Sequence, residues 1–352
     1  MRIRTLCFLL LIALLAACNG DTSGDGGNNA APAEEDEPTL CPLTGVEAAS
    51  GVDVNRPALA VKIDNAPPAR PQAGIDAADV VYEELGEGGL TRFLTVFHCN
   101  DAETVGPVRS ARDVDPEILQ EFGTVLFGYS GANAQVLDKI ANANFLGDLK
   151  HGSNADAYTR ASDRRAPYNL MTSTEKLRSA EAASDTTGAP KTGLTFNADV
   201  LNPPSPASPA AGEAAAPAAP AGNSVTFSFS NSNVVRYNYD AANKTYLRSH
   251  GDTAHNLTNG QQVSAVNVVV QKVRIVPGSV VDASGSPTQD TTVVGTGDVT
   301  VLRGGTSVTG KWNRASLGES TTFTDGAGQP IEFAPGRTFI HLVPQERPVQ
   351  VQ

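Results

Sequence analysis

The hydrophobic and polar positions in the first half of the chain predict a mixture of strands and helices. The predicted strands are ALAVKID (58–64), ADVVYEE (78–84), TRFLTVFH (91–98) and TVLFGYS (124–130). The predicted helices are DPEILQEFG (115–123), ANAQVLDKIANA (132–143) and TSTEKLRSAEAA (172–183). In the first helix Asp115 suits the N-cap and Pro116 the first helical position. Elements in this mixed order predict an α+β or α/β layered fold.

The second half of the chain has a different pattern, with short β-rich segments separated by turn residues. Examples are SVTFSFS (224–230), VVRYNYD (234–240), TSVTGKWNR (306–314) and RTFIHLVP (337–344). This pattern predicts a mainly antiparallel β domain, either a sandwich or a half-barrel. The whole chain is therefore predicted to be α+β, with an N-terminal mixed α/β-type layered domain followed by a mainly antiparallel β domain.

Two low-complexity segments suggest where the domains begin and end. Residues 18–40 are rich in Gly, Asn, Asp, Glu and Pro, which predicts a flexible tether. Residues 202–223 are rich in Pro, Ala and Ser, which predicts a linker or a loop insertion. The predicted domains between and beyond them are 41–201, α+β, and 224–345, β-rich, with a tail at 346–352.

The first 17 residues are typical of a secretory signal peptide. Arg2 and Arg4 precede an apolar run from Leu6 to Leu15, which is too short to span a bilayer in the mature protein. The following Leu-Ala-Ala-Cys resembles a bacterial lipobox, which implies cleavage before Cys18 and a lipid on that residue. The alternative is an ordinary signal peptide that ends near a cysteine. The favoured location is thus the extracytoplasmic face of the bacterial cell membrane, with the lipid as anchor.

Charge and cysteine content narrow the function classes. The formal net charge of −12 argues against nonspecific nucleic-acid binding, although it does not exclude a local basic pocket. Cys41 and Cys99 remain as a pair in an exported protein, which favours a disulfide over two free thiols. The spacing of the histidines and cysteines does not suggest a standard zinc site, so neither a metal nor a cofactor is expected.

Several ordered phrases together resemble a known family. CPLTG follows the tether, and it is followed by KIDN, GPVRSARD, APYNL and the long GKWNRASLGESTTFTDGAGQPIEFAPGRTFIHLVP. This combination resembles the YerB-like bacterial lipoproteins, a two-part domain of unknown function, from about Cys41 to Pro344 apart from the Pro/Ala segment. The resemblance implies a lipoprotein with an α+β domain followed by a β domain, and it implies no established reaction.

Charged side chains concentrate at predicted strand ends and loops of the first domain, where sites are usually built. The candidate ligand-binding residues are Asp64, Asn65, Glu83, Arg92, Arg109, Arg112 and Ser130. The planar guanidinium group of arginine can hold a carboxylate or a phosphate, so the three arginines predict an anion-binding pocket. The alternative pairs them with Asp64, Glu83 or Asp113 in structural salt bridges. Asp163-Arg164-Arg165, by contrast, is either the rim of a site or a solvated turn, and the turn is favoured.

Ser130 stands in a Gly-Tyr-Ser-Gly-Ala sequence between a predicted strand and a predicted helix. This context approaches the nucleophile elbow of serine hydrolases, but no histidine occurs in a recognisable context. A turn into a helix N-terminus is the favoured interpretation.

The leading functional hypothesis is therefore a membrane-anchored lipoprotein that binds an anionic envelope ligand or a partner protein. Two alternatives are an envelope hydrolase acting on a polymer or phosphoester, and a scaffold without a small ligand.

Overall fold

The computed structural model describes residues 38–181, 186–202, 221–281 and 285–352. Residues 38–352 form one compact unit. The predicted signal peptide and Cys18 lie outside the described residues, as do nearly all of the predicted tether and most of the predicted linker at 202–223. In the described ranges, no helix is both long and apolar enough to cross a membrane.

The described residues form 22 strands and three α-helices. The strands of the first half are β1 Ala58–Asp64, β2 Val80–Leu85, β3 Thr91–Phe97, β4 Val125–Tyr129, β5 Leu146–Lys150, β6 Tyr158–Arg160, β7 Leu170–Thr172 and β8 Thr195–Phe196. The strands of the second half are β9 Ser224–Ser230, β10 Asn233–Asp240, β11 Thr245–His250, β12 Thr253–Ala254, β13 Ser264–Ala265, β14 Asn267–Val273, β15 Ile275–Val281, β16 Pro287–Thr291, β17 Gly295–Arg303, β18 Thr306–Arg314, β19 Thr322–Asp325, β20 Glu332–Phe333, β21 Thr338–Pro344 and β22 Val349–Val351. The helices are α1 Val114–Leu119, α2 Ala134–Ala141 and α3 Thr174–Glu181.

A ten-stranded sheet joins both halves of the chain in the order β19-β18-β17-β14-β21-β2-β3-β1-β4-β5. The halves meet where β2 pairs in parallel with β21, with Tyr82 opposite Ile340. The strands from the first half pair both in parallel and antiparallel, whereas those from the second half are mainly antiparallel. The α+β fold class predicted from the sequence is therefore confirmed.

Both faces of the centre of this sheet are covered. On one face pack α1 and α2, through residues such as Ile118 and Val136. On the other lies a second sheet, β12-β11-β10-β9-β22, with β13 paired to β11, which contributes Phe227 and Tyr237 to the core. Because both faces are covered, all seven residues of β1 are buried, including the charged Lys62.

The segment from Val105 to Arg112 runs beside the end of β1 and places two arginines there. Its backbone pairs with β7 on one side, and Arg109 N–H donates to the Lys62 carbonyl on the other at 2.8 Å. Gly106 adopts φ +148°, and a Cβ there would lie 2.9 Å from the Leu170 carbonyl oxygen. A glycine is thus required where this segment crosses β7 closely.

The expected N-cap of the first helix is wrong. The helix begins at Val114 with Asp113 in the cap position, so Asp115 lies inside it. The Asp115 side chain instead accepts the Arg112 backbone N–H at 2.6 Å and pairs with Lys62 Nζ at 2.6 Å. The buried ammonium group of Lys62 needs a counter-charge, and Asp115 supplies it. The Asp115 side chain therefore does not act as the helix cap.

Candidate functional site

The candidate site is centred on the buried carboxylate of Asp64. Asp64 is the last residue of β1 and lies opposite Arg92 of β3 in the antiparallel pair. Arg92 Nη1 lies 3.1 Å from Oδ1, and Arg109 Nε lies 3.0 Å from Oδ2. The second contact is an ion pair without good hydrogen-bond geometry, since neither atom has a hydrogen-bond partner among the described residues. One carboxylate therefore lies between two guanidinium groups.

Arg112 has a separate partner. Its guanidinium group donates to Glu87 Oε2, at 3.0 Å from Nε and 2.5 Å from Nη2, and also to the Ser110 carbonyl at 3.0 Å. Glu87 follows β2, so the turn between β2 and β3 supplies the counter-charge for the arginine segment.

All three arginines line one concave space, which we call the arginine cleft. Its volume is about 400 Å³, and its wall also includes Ser110, Asn133 and Tyr168. Arg109 Cζ lies 5.8 Å from the centre of the Tyr168 ring. Val281 and Thr288, from β15 and β16, border the same space. The structure thus brings together three arginines from two segments of the first half beside a hairpin of the second half.

Arg92 is the most buried of the three arginines. It is 5% exposed, and its Nε has no hydrogen-bond partner among the described residues. Burial lowers the pKa of Arg92, while Asp64 acts in the opposite direction. A buried donor without a partner is costly, and this N–H is itself shielded from the open space of the cleft.

Asn65 and Glu83 belong to a different, fully buried network. Arg248 Nη2 donates to both carboxylate oxygens of Glu83, at 2.9 Å each, and His341 Nδ1 lies 2.9 Å from Glu83 Oε2. Asn65 Nδ2 donates to Glu83 Oε1 at 3.0 Å. Burial alone would raise the pKa of Glu83, but Arg248 and His341 outweigh it and lower the pKa below its ordinary value. Glu83 therefore stays ionised and holds β2, β11 and β21 together.

Glu84 faces the opposite side of β2 from Glu83, as the strand geometry predicts. It contacts Lys62 Nζ, which lies 2.6 Å from Asp115 Oδ1 as well. One buried ammonium group is thus shared by two carboxylates. Burial and the charge of Asp115 raise the pKa of Glu84 from its ordinary value of 4.5 to about 8.

Ser130 lies between β4 and α2, so the predicted strand-turn-helix context is present. Its Oγ lies 3.4 Å from Ser110 Oγ, and its N–H donates to the Arg109 carbonyl at 3.0 Å. Within the part of the chain that the structure describes, no histidine hydrogen-bonds to Ser130. Helix α2 is capped by Asn133, whose side chain accepts the Val136 N–H at 2.9 Å. Ser130 supports the backbone of the arginine segment and does not itself line the cleft.

Cys41 and Cys99 form a disulfide with their Cα atoms 6.0 Å apart. The described ranges contain no cluster of three or more His, Cys, Asp or Glu residues suited to a metal ion.

Sequence reasoning missed a second group of arginines. Arg70, Arg164 and Arg165 line a neighbouring concave space of about 580 Å³ that also includes Tyr168. Arg164 lies in a turn whose residues Asp163 and Arg165 are exposed, and its guanidinium group also donates to the carbonyls of Ala69, at 3.0 Å, and Pro71. The adjacent arginines at 164 and 165 were the only signal, and nothing in the sequence placed them beside residue 70.

Both halves of the chain are similar to known proteins. Residues 43–188 match the model described as "Protein of unknown function (DUF3048) N-terminal domain", and residues 225–340 match the corresponding C-terminal domain. A Bacillus subtilis (strain 168) protein named "Putative lipoprotein YerB" is 29% identical over 308 residues, which is 86% of each chain. The crystal structure of YerB from Bacillus subtilis superposes with a TM-score of 0.71 at 24% identity, covering 89% of this chain and 99% of that one. The two domain matches together span most of the chain, and this protein therefore belongs to the DUF3048 family.

Proposed function

We propose that this protein is a lipid-anchored, extracytoplasmic binding protein that holds an anionic envelope ligand in the arginine cleft. The observation that carries the proposal is the charge balance of the cleft. Three guanidinium groups line it, whereas in the part of the chain that the structure describes only Asp64 and Glu87 form ion pairs with them. A bound anion would neutralise the remaining positive charge.

Two observations support the location. The curated relative in Bacillus subtilis carries the word lipoprotein in its name, and Leu-Ala-Ala-Cys at 15–18 provides the acceptor cysteine in this chain. The Cys41–Cys99 disulfide is also typical of oxidising, extracytoplasmic compartments. The lipid on Cys18 would then attach the protein to the membrane surface.

The carboxylates offered for a hydrolase do not support that alternative. Asp64 and Glu83 are both fully buried and ion-paired with arginines, and neither lines the arginine cleft. A general acid or base must reach the proton that it transfers, and these two groups do not reach the open space. Binding is the activity that the geometry favours.

The test is a calorimetric titration of the full-length protein, purified in detergent, with inorganic phosphate. Arg109→Gln and Arg112→Gln should each weaken binding about tenfold, because each removes a charge-assisted hydrogen bond to the anion. Arg236→Gln is the matched control, since Arg236 pairs with Asp252 on the surface, outside the cleft. An unchanged Tm shows that each variant is folded. Equal binding by all three variants and the unaltered protein would refute the proposal.

A further inference from the structure

The arginine cleft has two neighbouring concave spaces, linked to it through shared lining residues. The second cleft, of about 580 Å³, shares Tyr168 with the first. A third, of about 540 Å³, shares Arg70 and Pro71 with the second. The three clefts lie side by side, and we call them together the groove.

The second cleft is less neutralised than the first. Arg70 donates to the Asn65 carbonyl at 2.7 Å, and Arg164 donates to two backbone carbonyls. Arg165 is exposed. Across the described ranges, none of these three guanidinium groups lies within 4.0 Å of a carboxylate oxygen. Burial, followed by the charge of Arg248, lowers the pKa of Arg70 to about 10, so it remains cationic at neutral pH.

The groove is strongly basic in a protein with a net charge of −12. Six arginines line it, three in the first cleft and three in the second, against the carboxylates of Glu87 and Asp163. A local excess of positive charge, in a chain that is negative as a whole, favours an anionic ligand that reaches both clefts.

The third cleft offers neutral hydrogen-bonding groups. Arg248 Nη1 lies 2.9 Å from His250 Nε2 and 2.7 Å from His255 Nδ1, so both ring nitrogens accept. His255 Nε2 then donates to Gln72 at 2.8 Å, and His250 keeps Nδ1–H as a donor. Burial and the charge of Arg248 lower the pKa of both histidines. The third cleft therefore combines neutral hydrogen-bonding groups with apolar side chains, and the guanidinium group that it contains is that of Arg70, shared with the second cleft.

The order along the groove indicates the type of ligand. Positive charge is concentrated in two places, with the Tyr168 ring between them and polar side chains beyond. Six of the lining side chains are arginines, which only donate, and the carboxylates of Glu87 and Asp163 are few beside them, whereas a peptide would also need acceptors for its backbone N–H groups. We propose that the groove binds an extended polymer whose phosphodiester groups alternate with uncharged, hydroxyl-bearing units, with one phosphate in each of the first two clefts. This inference rests on the proposed function and adds the polymeric nature of its ligand.

The test compares glycerol phosphate with oligo(glycerol phosphate) chains of increasing length, titrated into the full-length protein. Affinity should rise at least about tenfold once a chain is long enough to reach the second cleft, because the second contact is then intramolecular. Arg165→Gln should reduce this gain from chain length, whereas Arg109→Gln should weaken binding at every length. Arg164→Gln is a second variant of the same cleft and should have the same effect as Arg165→Gln. Arg236→Gln is the control and should behave like the unaltered protein.

The outcomes separate the two proposals. If glycerol phosphate binds but longer chains bind no more tightly, the extended groove is wrong while the single anion site stands. If neither glycerol phosphate nor inorganic phosphate binds, the proposed function itself fails. Tighter binding of oligoglutamate than of oligo(glycerol phosphate) of equal charge would overturn the phosphodiester assignment in favour of an acidic peptide.

Discussion

Arg109 Nε lies 3.0 Å from Oδ2 of the fully buried Asp64 carboxylate. The other oxygen of the same carboxylate lies 3.1 Å from Arg92. One anion is thus shared by two cations beneath an open cleft. The arginines thus pair with a protein carboxylate and also border an open space, and the binding of a ligand in that space stays a prediction.

Replacing Asp64 with asparagine should reveal the excess positive charge of Arg92 and Arg109. Asp64→Asn leaves two neighbouring guanidinium groups without their shared counter-charge, which should reduce the free energy of unfolding by about 3–5 kcal/mol. Phosphate should restore part of this loss, since it can take the place of the carboxylate charge. Urea unfolding with and without phosphate measures both effects.

Asp252→Asn is the control for that experiment. Asp252 pairs with Arg236 at 2.6 Å on the surface, so its loss should cost at most about 1 kcal/mol and should not respond to phosphate. If Asp64→Asn behaved like this control, the shared-counter-ion account would be wrong.

The pair of Glu83 and Arg248 should couple the two halves of the chain. Glu83→Gln alone leaves Arg248 buried without a counter-charge, which should lower the free energy of unfolding by about 3–5 kcal/mol. Adding Arg248→Met should cost less than the sum of the single changes, since the double variant buries neither charge. A double-mutant cycle by chemical denaturation measures the coupling, and strictly additive losses would contradict it.

Glu84 should make stability depend on pH. Burial and the charge of Asp115 raise its pKa in the folded protein from 4.5 to about 8. Between these pH values the folded protein binds this proton more tightly than the unfolded chain, so the contribution of Glu84 to stability falls as pH rises. Unfolding free energies of the unaltered protein and of Glu84→Gln, measured across this range, should diverge progressively. Parallel curves would show that Glu84 does not titrate there.

The disulfide should stabilise the fold through the loop that it closes. Cys41 and Cys99 are 58 residues apart, and closing a loop of this size lowers the entropy of the unfolded chain by an amount equivalent to about 4 kcal/mol. Replacing both cysteines with serine should lower the free energy of unfolding by a similar amount. Reductant should destabilise the unaltered protein but not the double variant, and equal responses would contradict this role.

The local elements were predictable from the sequence, whereas their long-range pairing was not. The predicted bounds of β1 and β18 agree with the structure, because a strand pattern reflects local side-chain spacing. The pairing of β2 with β21 joins positions near 80 and 340, and no periodic pattern specifies such a partner. Short strands such as β5 were missed for lack of a distinct pattern.

The candidate site was predictable only in part, because some of its contacts depend on the long-range pairing of strands. Arg92, Arg109 and Arg112 share a cleft, as the anion-pocket hypothesis required. Asn65 and Glu83 instead join a buried network completed by Arg248 and His341, which come from the other half of the chain. A residue type and a strand-end position indicate a site, but only the folded sheet determines which face each side chain occupies.

The most direct measurement is a nitrogen-15 NMR titration of the full-length protein that follows the arginine Nε–H signals as inorganic phosphate is added. The account predicts saturable shifts for Arg92, Arg109 and Arg112 with one shared dissociation constant. Arg236, on the surface, should shift only weakly and without saturation. If all four signals responded alike and without saturation, the arginine cleft would not be an anion-binding site.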